Sequence, residues 1–506
     1  MIRMCGTMRA VQRGRRSLVA LGFLICAVAG APAVARAQTP EPPVVASVGT
    51  TPQGQPMGQS FLGVSLEYNA LHIYTGRDPR HVDPVLIQLL RNLDPGQTPV
   101  VRIGGNSADF SWWPIKGTLP PVGVRYALTN GWVRMTRAFA AKLRAKLIMG
   151  LNLAGGRPAI AAAEARAFLS GINRQYLDGF EIGNEPDLYP TSVWYHDRKG
   201  RQFFARPPTY DFTSYLLDVA RWRSALPPLT FIGPALAQLT WLDNIDQIRA
   251  AEPGLPMVTV HRYPLRACPT PATSPQFATI PNLLSDTSGT GMADRMVPFI
   301  SLVHSRGILF RVDELNSVSC SGKRGVSDTF ASALWMLDTL FALAQVGVDS
   351  VNVHTLPGAG YELFTISHKK NVWSAFVHPE YYAMLMFAQA FPPGAHLLPV
   401  SEPAGPVKIW ATQAPDGHTR VVIINKDPTN VQTAQVTVPG SGGPATLDWL
   451  RAPSVLATSG VTLGSQSFGS ATRSGLLQPA ELPPITAAGG TYSVELPPAS
   501  AVMLTQ

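Results

Sequence analysis

Two apolar runs of this sequence each end in a glutamate, and these two carboxylates are the side chains best suited to do chemistry. The segment 179–187 reads Gly-Phe-Glu-Ile-Gly-Asn-Glu-Pro-Asp, so a strand-like run ends at Glu185, just before a proline that cannot continue a β-ladder. The segment 308–316, Ile-Leu-Phe-Arg-Val-Asp-Glu-Leu-Asn, brings Glu314 to the end of a similar run. Glycoside hydrolysis requires one carboxyl group that donates a proton and one that attacks the anomeric carbon. The alternative is that both glutamates are solvated loop acids or members of a structural ion pair.

The elements that would position these glutamates alternate between strand-like and helix-like stretches. Strands are predicted at Phe61–Leu66, Val100–Ile103, Lys146–Leu151, Gly179–Ile182, Thr230–Ile232, Met257–Val260, Ile308–Val312 and Ser350–Val353. Helices are predicted between them, including Val133–Ala145, Ile160–Ser170 and Thr329–Val346. The last of these helices is expected to have Asp328 or Ser327 as its N-cap. Alternating strands and helices favour a parallel sheet, and eight strands fit one (β/α)8 TIM barrel, which places catalytic groups at the carboxyl ends of the strands.

A different pattern begins near Leu397, where short β-type runs follow one another without helices between them. These runs are Val407–Ala411, Arg420–Asn425, Ala434–Val438, Thr446–Leu450 and Tyr492–Leu496. Regularly spaced short strands predict an antiparallel β-sandwich. The sequence therefore predicts a catalytic barrel over residues 59–396 and a β-sandwich domain over residues 397–506.

Four motifs of the chain resemble one known family of glycosidases. They are Asn184-Glu185-Pro186, the segment Val101–Asn106, His261-Arg262-Tyr263 and the segment Gly325–Ala331. Together they resemble glycoside hydrolase family 79, the β-glucuronidase and heparanase family of the clan A retaining glycosidases, over about Phe61 to Phe387. The resemblance implies that Glu185 is the acid/base after the fourth strand and Glu314 the nucleophile after the seventh. It also implies that the N-terminal segment, residues 38–58, joins the β-sandwich.

The resemblance also assigns substrate-binding roles. Asn184 would donate to the sugar 2-hydroxyl, although a turn-forming asparagine is the alternative. His261 and Tyr263 would face the pocket together because alternate residues of a strand share a face, and Tyr263 would hold the nucleophile.

Two further polar residues follow the first and second strands. Glu67 and Asn106 hold positions that bind sugar hydroxyls in the resembling family. A structural ion pair between Glu67 and Arg102 is the alternative for the first of them. Asp109 is expected to brace the loop.

The loop that binds the sugar carboxylate in glucuronidases of the family has a different sequence here. Glucuronidases of the family use a Tyr-Gly-Gly loop after the nucleophile, and the matching residues here are Ser319, Cys320 and Ser321. Backbone N–H groups can still supply part of this recognition, and Tyr361 is expected to be the family tyrosine that follows the eighth strand, at a spacing one residue shorter. Lys323 or Arg324 could provide a new cationic contact or could be solvated loop charges.

Residues 1–37 have the features of a secretory signal peptide: a basic start, an apolar core and a small-residue cleavage pattern. They contain six arginines and no acidic residue, so the net charge of +9 falls to about +3 for the remaining chain. No basic block indicates nucleic acid as a partner, and no later stretch is long and apolar enough to span a membrane. We therefore expect a secreted or periplasmic protein.

Two of the four cysteines, Cys268 and Cys320, lie outside the signal segment in predicted loops after barrel strands. They could pair in an oxidising compartment, and the sequence leaves the bond open. No Cys/His cluster has the spacing of a metal site, and neither a metal nor another cofactor is expected.

The leading hypothesis is an exported retaining β-glycosidase, most simply a β-glucuronidase, that acts on a carbohydrate: an oligosaccharide, a polysaccharide or a glycoside. Because the carboxylate-reading loop is altered, a neutral sugar such as glucose or xylose is the first alternative. A non-catalytic carbohydrate-binding protein on the same barrel is the second.

Overall fold

The computed structural model describes residues 42–401, 405–440, 443–479 and 481–506, so the predicted signal segment lies outside the described residues. Residues Pro42–Gln506 form one compact unit. Within the described ranges, no helix has both the length and the apolar character needed to cross a bilayer.

The first layer is a curled sheet of seven parallel strands. In hydrogen-bonded order they are Met257–Arg262, Leu309–Leu315, Ser350–Thr355, Leu62–Glu67, Val100–Gly104, Lys146–Leu151 and Leu177–Ile182. Residues 230–236 lie between the two outer strands and pair with both, through bridges from Phe231 to Phe180 and from Leu236 to Val260. The predicted fifth strand is therefore present only as isolated bridges, because Pro234 lacks the N–H group that a continuous ladder needs. The predicted barrel architecture is confirmed.

Helices and short strand pairs connect the barrel strands. The α-helices are Leu71–Thr75, Pro84–Leu93, Asn106–Phe110, Asn130–Leu143, Pro158–Gly171, Phe212–Ala225, Ile245–Ala251, Ile280–Leu284, Thr290–Asp294, Val297–His304, Phe330–Gln345 and Pro379–Ala390, and the 3₁₀ turns are Arg174–Tyr176, Pro186–Leu188 and Leu239–Asn244. The strand pairs are Ser111–Trp112 with Tyr126–Ala127, Val193–His196 with Gln202–Phe204, Leu265–Arg266 with Val318–Ser319, and Phe364–Lys369 with Val372–Val377.

The helix Phe330–Gln345 begins differently from the prediction. Its N-cap is Thr329, and no side chain caps it. The first two N–H groups, of Phe330 and Ala331, instead donate to the carbonyl oxygens of Ala457 and Val455 in the C-terminal region. The two predicted caps, Ser327 and Asp328, accept from the N–H groups of Lys323 and Gly325 and so close the preceding turn. The prediction was wrong because the partner of these helix N–H groups is distant in sequence.

The second layer consists of two β-sheets that enclose their own apolar core. The smaller sheet joins Val44–Ser47, Gln432–Thr437 and Thr491–Leu496, so the N-terminal segment pairs with the C-terminal region. The larger sheet runs His396–Leu398, Val407–Gln413, Thr419–Asn425, Ser500–Thr505, Pro444–Arg451 and Thr462–Leu463, with Pro484–Thr486 beside Pro444–Arg451. Buried Val436, Val494, Ile423 and Val502 belong to this core.

A buried polar contact joins the β-sheet layer to the barrel. Asp338 on the helix Phe330–Gln345 accepts from the indole N–H of Trp410 at 2.9 Å and pairs with Lys426. The ring of Trp410 stacks on Phe341, with 5.6 Å between the ring centroids.

Candidate active site

A cleft of about 1030 Å³ opens at the carboxyl ends of the barrel strands. Every residue that the sequence assigned to the site lines this cleft: Glu67, Asn106, Asn184, Glu185, His261, Tyr263, Cys268, Glu314, Ser319, Cys320, Ser321 and Tyr361. The structure therefore brings together groups that are spread over almost 300 positions of the chain.

Glu185 lies on a sharp turn after the strand Leu177–Ile182. The backbone turns at Gly183, where a Cβ atom would lie 2.5 Å from the hydroxyl oxygen of Tyr189, so only glycine fits. Glu185 itself has a left-handed φ of 49° and donates its N–H to the carbonyl oxygen of Ala235 at 3.0 Å. These contacts hold the Glu185 carboxylate, which is partly exposed, at the cleft.

Glu314 is buried among positive charges. Its Oε2 lies 2.7 Å from a guanidinium nitrogen of Arg102, and its Oε1 accepts a 2.8 Å hydrogen bond from the hydroxyl of Tyr263. Burial acts to raise the pKa of Glu314, but the charges of His354, His261 and Arg102 and the Tyr263 hydrogen bond together hold it below its usual value. Glu314 is therefore ionised at neutral pH, as a nucleophile must be.

His261 connects the two glutamates. Its Nδ1 lies 2.9 Å from Oε1 of Glu185 and 3.9 Å from Oε2 of Glu314, while its Nε2 lies 3.6 Å from Asp313. Burial acts to lower the pKa of His261, but the surrounding carboxylates outweigh it and raise the pKa to about 9. The imidazole is therefore positively charged at neutral pH and donates to Glu185.

Arg102 is the central basic residue of the site, and the sequence analysis considered it only as a possible partner of Glu67. It is fully buried on the second barrel strand and pairs with Glu181 at 2.7 Å, Asp313 at 3.0 Å and Glu314 at 2.7 Å. The alternative of an ion pair between Glu67 and Arg102 was wrong, because this guanidinium lies among the acids of the fourth and seventh strands. Its position inside the motif Val101–Asn106 was the sequence signal for a role beside the two glutamates.

Asn184 is oriented by three contacts. Its side-chain oxygen accepts from Arg102 at 2.8 Å, and its amide nitrogen donates to Asn106 at 3.1 Å. Its backbone N–H donates to Asp109, which also accepts from the hydroxyl of Tyr189, so Asp109 braces the loop as predicted. With its oxygen bound to Arg102 and one amide N–H bound to Asn106, the Asn184 side chain has one amide N–H left for the cleft.

Glu67 faces the cleft from the first barrel strand. Its Oε2 accepts from the N–H of Ser107 at 2.7 Å, and its Oε1 lies 3.9 Å from Nε2 of His354. Burial raises the pKa of Glu67 despite these partners. His354 was missed by the sequence analysis, although it lies directly after the predicted eighth strand.

The loop 319–322 forms one rim of the cleft. The Sγ atoms of Cys268 and Cys320 are bonded, with their Cα atoms 5.7 Å apart. Lys323 donates to the carbonyl oxygen of Ala278 at 2.9 Å, and neither Lys323 nor Arg324 is among the residues that line the cleft.

Glu185, His261 and Glu314 form a group whose ligand atoms lie within 4.8 Å of one another. The guanidinium of Arg102 already occupies Oε2 of Glu314 at 2.7 Å, and His261 has a pKa of about 9. A histidine binds a metal through its neutral imidazole, so this group does not suit a divalent cation.

The fold, a (β/α) barrel followed by a β domain, is shared with solved glycosidases. A solved 4-O-α-L-rhamnosyl-β-D-glucuronidase from Fusarium oxysporum superposes with a TM-score of 0.69 at 18% identity, covering 91% of this chain and 100% of that chain. A GH51 arabinofuranosidase from Xanthomonas axonopodis pv. citri gives a TM-score of 0.62 at 15% identity, covering 92% and 99%.

Within this class, the matches point to family 79. Residues 409–503 match the model described as the glycosyl hydrolase family 79 C-terminal beta domain. A Neurospora crassa protein named β-glucuronidase is 22% identical over 351 residues, 61% of this chain and 59% of that protein. An Aspergillus niger β-glucuronidase is 24% identical over 346 residues, 59% of each chain. The chain thus matches less than two thirds of the length of these relatives. The predicted resemblance to family 79 is confirmed.

Proposed function

We propose that this protein is a retaining β-glycosidase whose substrates are β-D-glucuronides. The observation that carries the proposal is the pair Glu185 and Glu314 at the ends of two barrel strands, with carboxylate oxygens within 4.8 Å of each other. The carboxyl groups of retaining glycosidases lie about 5–5.5 Å apart, and those of inverting enzymes roughly 6.5–9.5 Å apart. The short separation leaves no room for a water between Glu314 and the sugar, so it favours retention.

In the first step, the ionised Glu314 attacks the anomeric carbon and the glycosidic oxygen leaves with a proton from Glu185. Because Oε1 of Glu185 accepts from His261, Oε2 is the oxygen that can carry this proton. The hydroxyl of Tyr263 on Oε1 and the guanidinium of Arg102 on Oε2 hold the Glu314 carboxylate in place for this attack. The product of this step is a glycosyl ester of Glu314.

In the second step, Glu185 takes a proton from water, and the hydroxide attacks the anomeric carbon and releases Glu314 as a carboxylate. The amide of Asn184 donates to the sugar 2-hydroxyl in both steps, a contact that strengthens as the oxocarbenium ion forms. Two inversions at the same carbon return the β-configured sugar.

Backbone N–H groups of the loop 319–322 and the hydroxyl of Tyr361 bind the sugar carboxylate in this proposal. The two curated relatives are named β-glucuronidase, and the Fusarium oxysporum protein is described in complex with Rha-GlcA. These names support a glucuronide as the substrate. The disulfide and the predicted signal segment support export, which we also propose.

A neutral β-linked sugar is the second candidate, and one observation favours it. Lys323 is bound to a backbone carbonyl and lies over the ring of Phe277 at 4.8 Å, so it is not available as a cationic partner for a carboxylate. In this case the loop 319–322 would donate to a hydroxymethyl group or to water.

The test is hydrolysis of 4-nitrophenyl β-D-glucuronide, β-D-glucoside and β-D-xyloside by the protein without residues 1–37. We expect the highest kcat/KM for the glucuronide and a β-configured product by NMR. E314Q should lower kcat by at least about 10³-fold. The matched control is E481Q, since Glu481 is exposed in the β-sheet layer.

Each outcome distinguishes one hypothesis. Preference for the glucoside or xyloside would keep the mechanism and replace the sugar. Hydrolysis by E314Q at the wild-type rate would contradict the assigned nucleophile. A folded wild-type protein that hydrolyses none of the three would favour the non-catalytic carbohydrate-binding alternative.

A further inference from the structure

The rim loop 319–322 has an unusual backbone. Cys320 and Ser321 have φ values of 63° and 69°, and Gly322 follows with 74°. Positive φ at two consecutive non-glycine residues is disfavoured, because the Cβ atom approaches the following carbonyl oxygen. A loop of this sequence therefore needs external contacts to keep this conformation.

The disulfide is the covalent member of those contacts. It joins Cys320, six residues after Glu314, to Cys268, five residues after Tyr263. The ladder beside it is the short parallel pair Leu265–Arg266 with Val318–Ser319. On the other side, the carbonyl oxygen of Ser321 accepts from the N–H of Gly360 at 2.8 Å.

The same loop packs against Tyr361, the tyrosine expected to bind the sugar carboxylate. A Cβ atom on Gly322 would lie 2.9 Å from the backbone nitrogen of Tyr361, so the two backbones are in close contact. The ring of Tyr361 lies 6.1 Å from that of Tyr263, which holds Glu314. The loop therefore contacts Tyr361, which in turn lies beside the tyrosine that holds Glu314.

The loop also carries free donors. Among the described residues, the backbone N–H groups of Cys320 and Ser321 have no acceptor, and both residues line the cleft. Successive N–H groups in a turn of this kind form a concavity that binds anions. The loop 319–322 contains no basic residue, and Arg266, which pairs with Ser319 in the neighbouring strand, lines the same cleft.

We propose that the Cys268–Cys320 disulfide determines the preference for a sugar carboxylate, as a positioning element that holds the N–H groups of Cys320 and Ser321 towards it. The inference rests on the proposed β-glucuronidase activity. The bond lies at the exposed rim, where Cys320 is accessible to solvent, so a reductant in solution can reach it. Without the bond, the loop relaxes out of the left-handed conformation and the donors separate.

The experiment compares 4-nitrophenyl β-D-glucuronide with the β-D-glucoside for the wild type, for the wild type treated with a water-soluble phosphine, and for the double variant C268S/C320S. The phosphine takes the oxygen of one water and becomes a phosphine oxide, while the S–S bond gains two electrons and two protons and becomes two thiols. Thiol titration verifies the reduction.

We expect KM for the glucuronide to rise about tenfold, as the loss of one charge-assisted hydrogen bond implies, with kcat for the glucuronide and kcat/KM for the glucoside changed less than about threefold. Reoxidation of the wild type should restore the original KM. The phosphine should have no effect on C268S/C320S, which is the control for side reactions.

The contrary outcomes are separable. An unchanged ratio of glucuronide to glucoside kcat/KM in protein with two titrated thiols overturns the inference and leaves the proposed function intact. An equal loss on both substrates, with a lowered Tm, shows that the bond only braces the barrel and also overturns it. A wild type that hydrolyses neither substrate contradicts the proposed function, and the inference is lost with it.

Discussion

Among the described residues, three basic side chains surround the carboxylate of Glu314. Arg102 contacts Glu314 at 2.7 Å, and ring nitrogens of His261 and His354 each lie 3.9 Å from the same oxygen. Such charges in a buried site act through a low local dielectric, so they outweigh the burial that opposes ionisation. At the residue scale, the site is therefore a carboxylate held ionised beside a second carboxylate that is partly exposed.

The charge of His261 predicts an alkaline limit to activity. Its pKa is raised to about 9, so the imidazolium is present below that pH and is lost above it. For a 2,4-dinitrophenyl glycoside, whose leaving group needs no proton from Glu185, we expect kcat/KM of the wild type to fall as pH rises through about 9, because Glu314 then loses a neighbouring positive charge. H261Q should lack this alkaline limb. A wild-type profile that stays flat to pH 10, or the same limb in H261Q, would refute the assignment.

Removal of the proposed acid should have an effect that depends on the leaving group. E185A should lose about 10²–10⁴-fold in kcat/KM for substrates whose leaving group needs a proton. The loss should be much smaller for a 2,4-dinitrophenyl glycoside, whose phenolate leaves unaided. Azide should accelerate E185A and produce a β-glycosyl azide detectable by mass spectrometry. E314Q is the comparison variant, and rescue of both variants alike would argue against the two assigned roles.

At the scale of single elements, the barrel tolerates a buried acid at the end of a helix. Glu252 follows the helix Ile245–Ala251, and its Oε2 has no hydrogen-bond partner among the described residues. Burial raises the pKa of Glu252 to about 7, only partly offset by Arg223. The folded state therefore binds a proton more tightly than the unfolded chain does, and its stability falls as pH rises from about 4.5 to about 7.

The neutral variant E252Q should remove this pH dependence. We expect it to be more stable than the wild type by roughly 1–3 kcal/mol at pH 8, and nearly equal at pH 4.5, where Glu252 is protonated. Denaturant unfolding at the two pH values measures the difference, with E481Q as the exposed control. Equal stability of E252Q and wild type at pH 8 would contradict the raised pKa.

At the scale of the whole molecule, two ion pairs of the described residues join the barrel to the β-sheet layer, and they differ in burial. Lys426 and Asp338 are both buried, and Trp410 donates to the same carboxylate. Lys408 pairs with Asp286 at 3.0 Å, where the Asp286 side chain is 60% exposed. Both members of the first pair have been removed from water, whereas the Asp286 carboxylate of the second remains hydrated, so the loss of each carboxylate's partner should differ in cost.

Substitution at each pair tests this difference. K426M leaves the carboxylate of Asp338 buried without its cation and should cost about 3–5 kcal/mol in the free energy of unfolding. D286N breaks the exposed pair and should cost less than about 1 kcal/mol. Calorimetry and denaturant titration measure both variants under the same conditions. Similar small effects would mean that the interface depends on apolar packing, such as the stack of Trp410 on Phe341.

The sequence alone was sufficient for features that depend on local pattern. Seven of the eight predicted barrel strands exist as regular strands, and the predicted β-runs after Leu397 are strands of the two C-terminal sheets. The ends of the strands that carry Glu185 and Glu314 could be predicted because a strand boundary depends on neighbouring residues. Around Glu185 these are the glycine, asparagine and proline of Gly183-Asn184-Glu185-Pro186. Ordered motifs then indicated the family.

Only the tertiary structure decided which side chains meet. Arg102 could pair with any acid on a neighbouring strand, and barrel closure placed it against Glu181, Asp313 and Glu314 rather than Glu67. In the same way, closure brought Cys268 within bonding distance of Cys320. At the start of the helix Phe330–Gln345, where a side-chain cap was expected, the carbonyl oxygens of Val455 and Ala457 accept the first N–H groups. The physical reason is that strand patterns depend on neighbours a few residues away, whereas partner choice depends on the curvature and register of the assembled sheet.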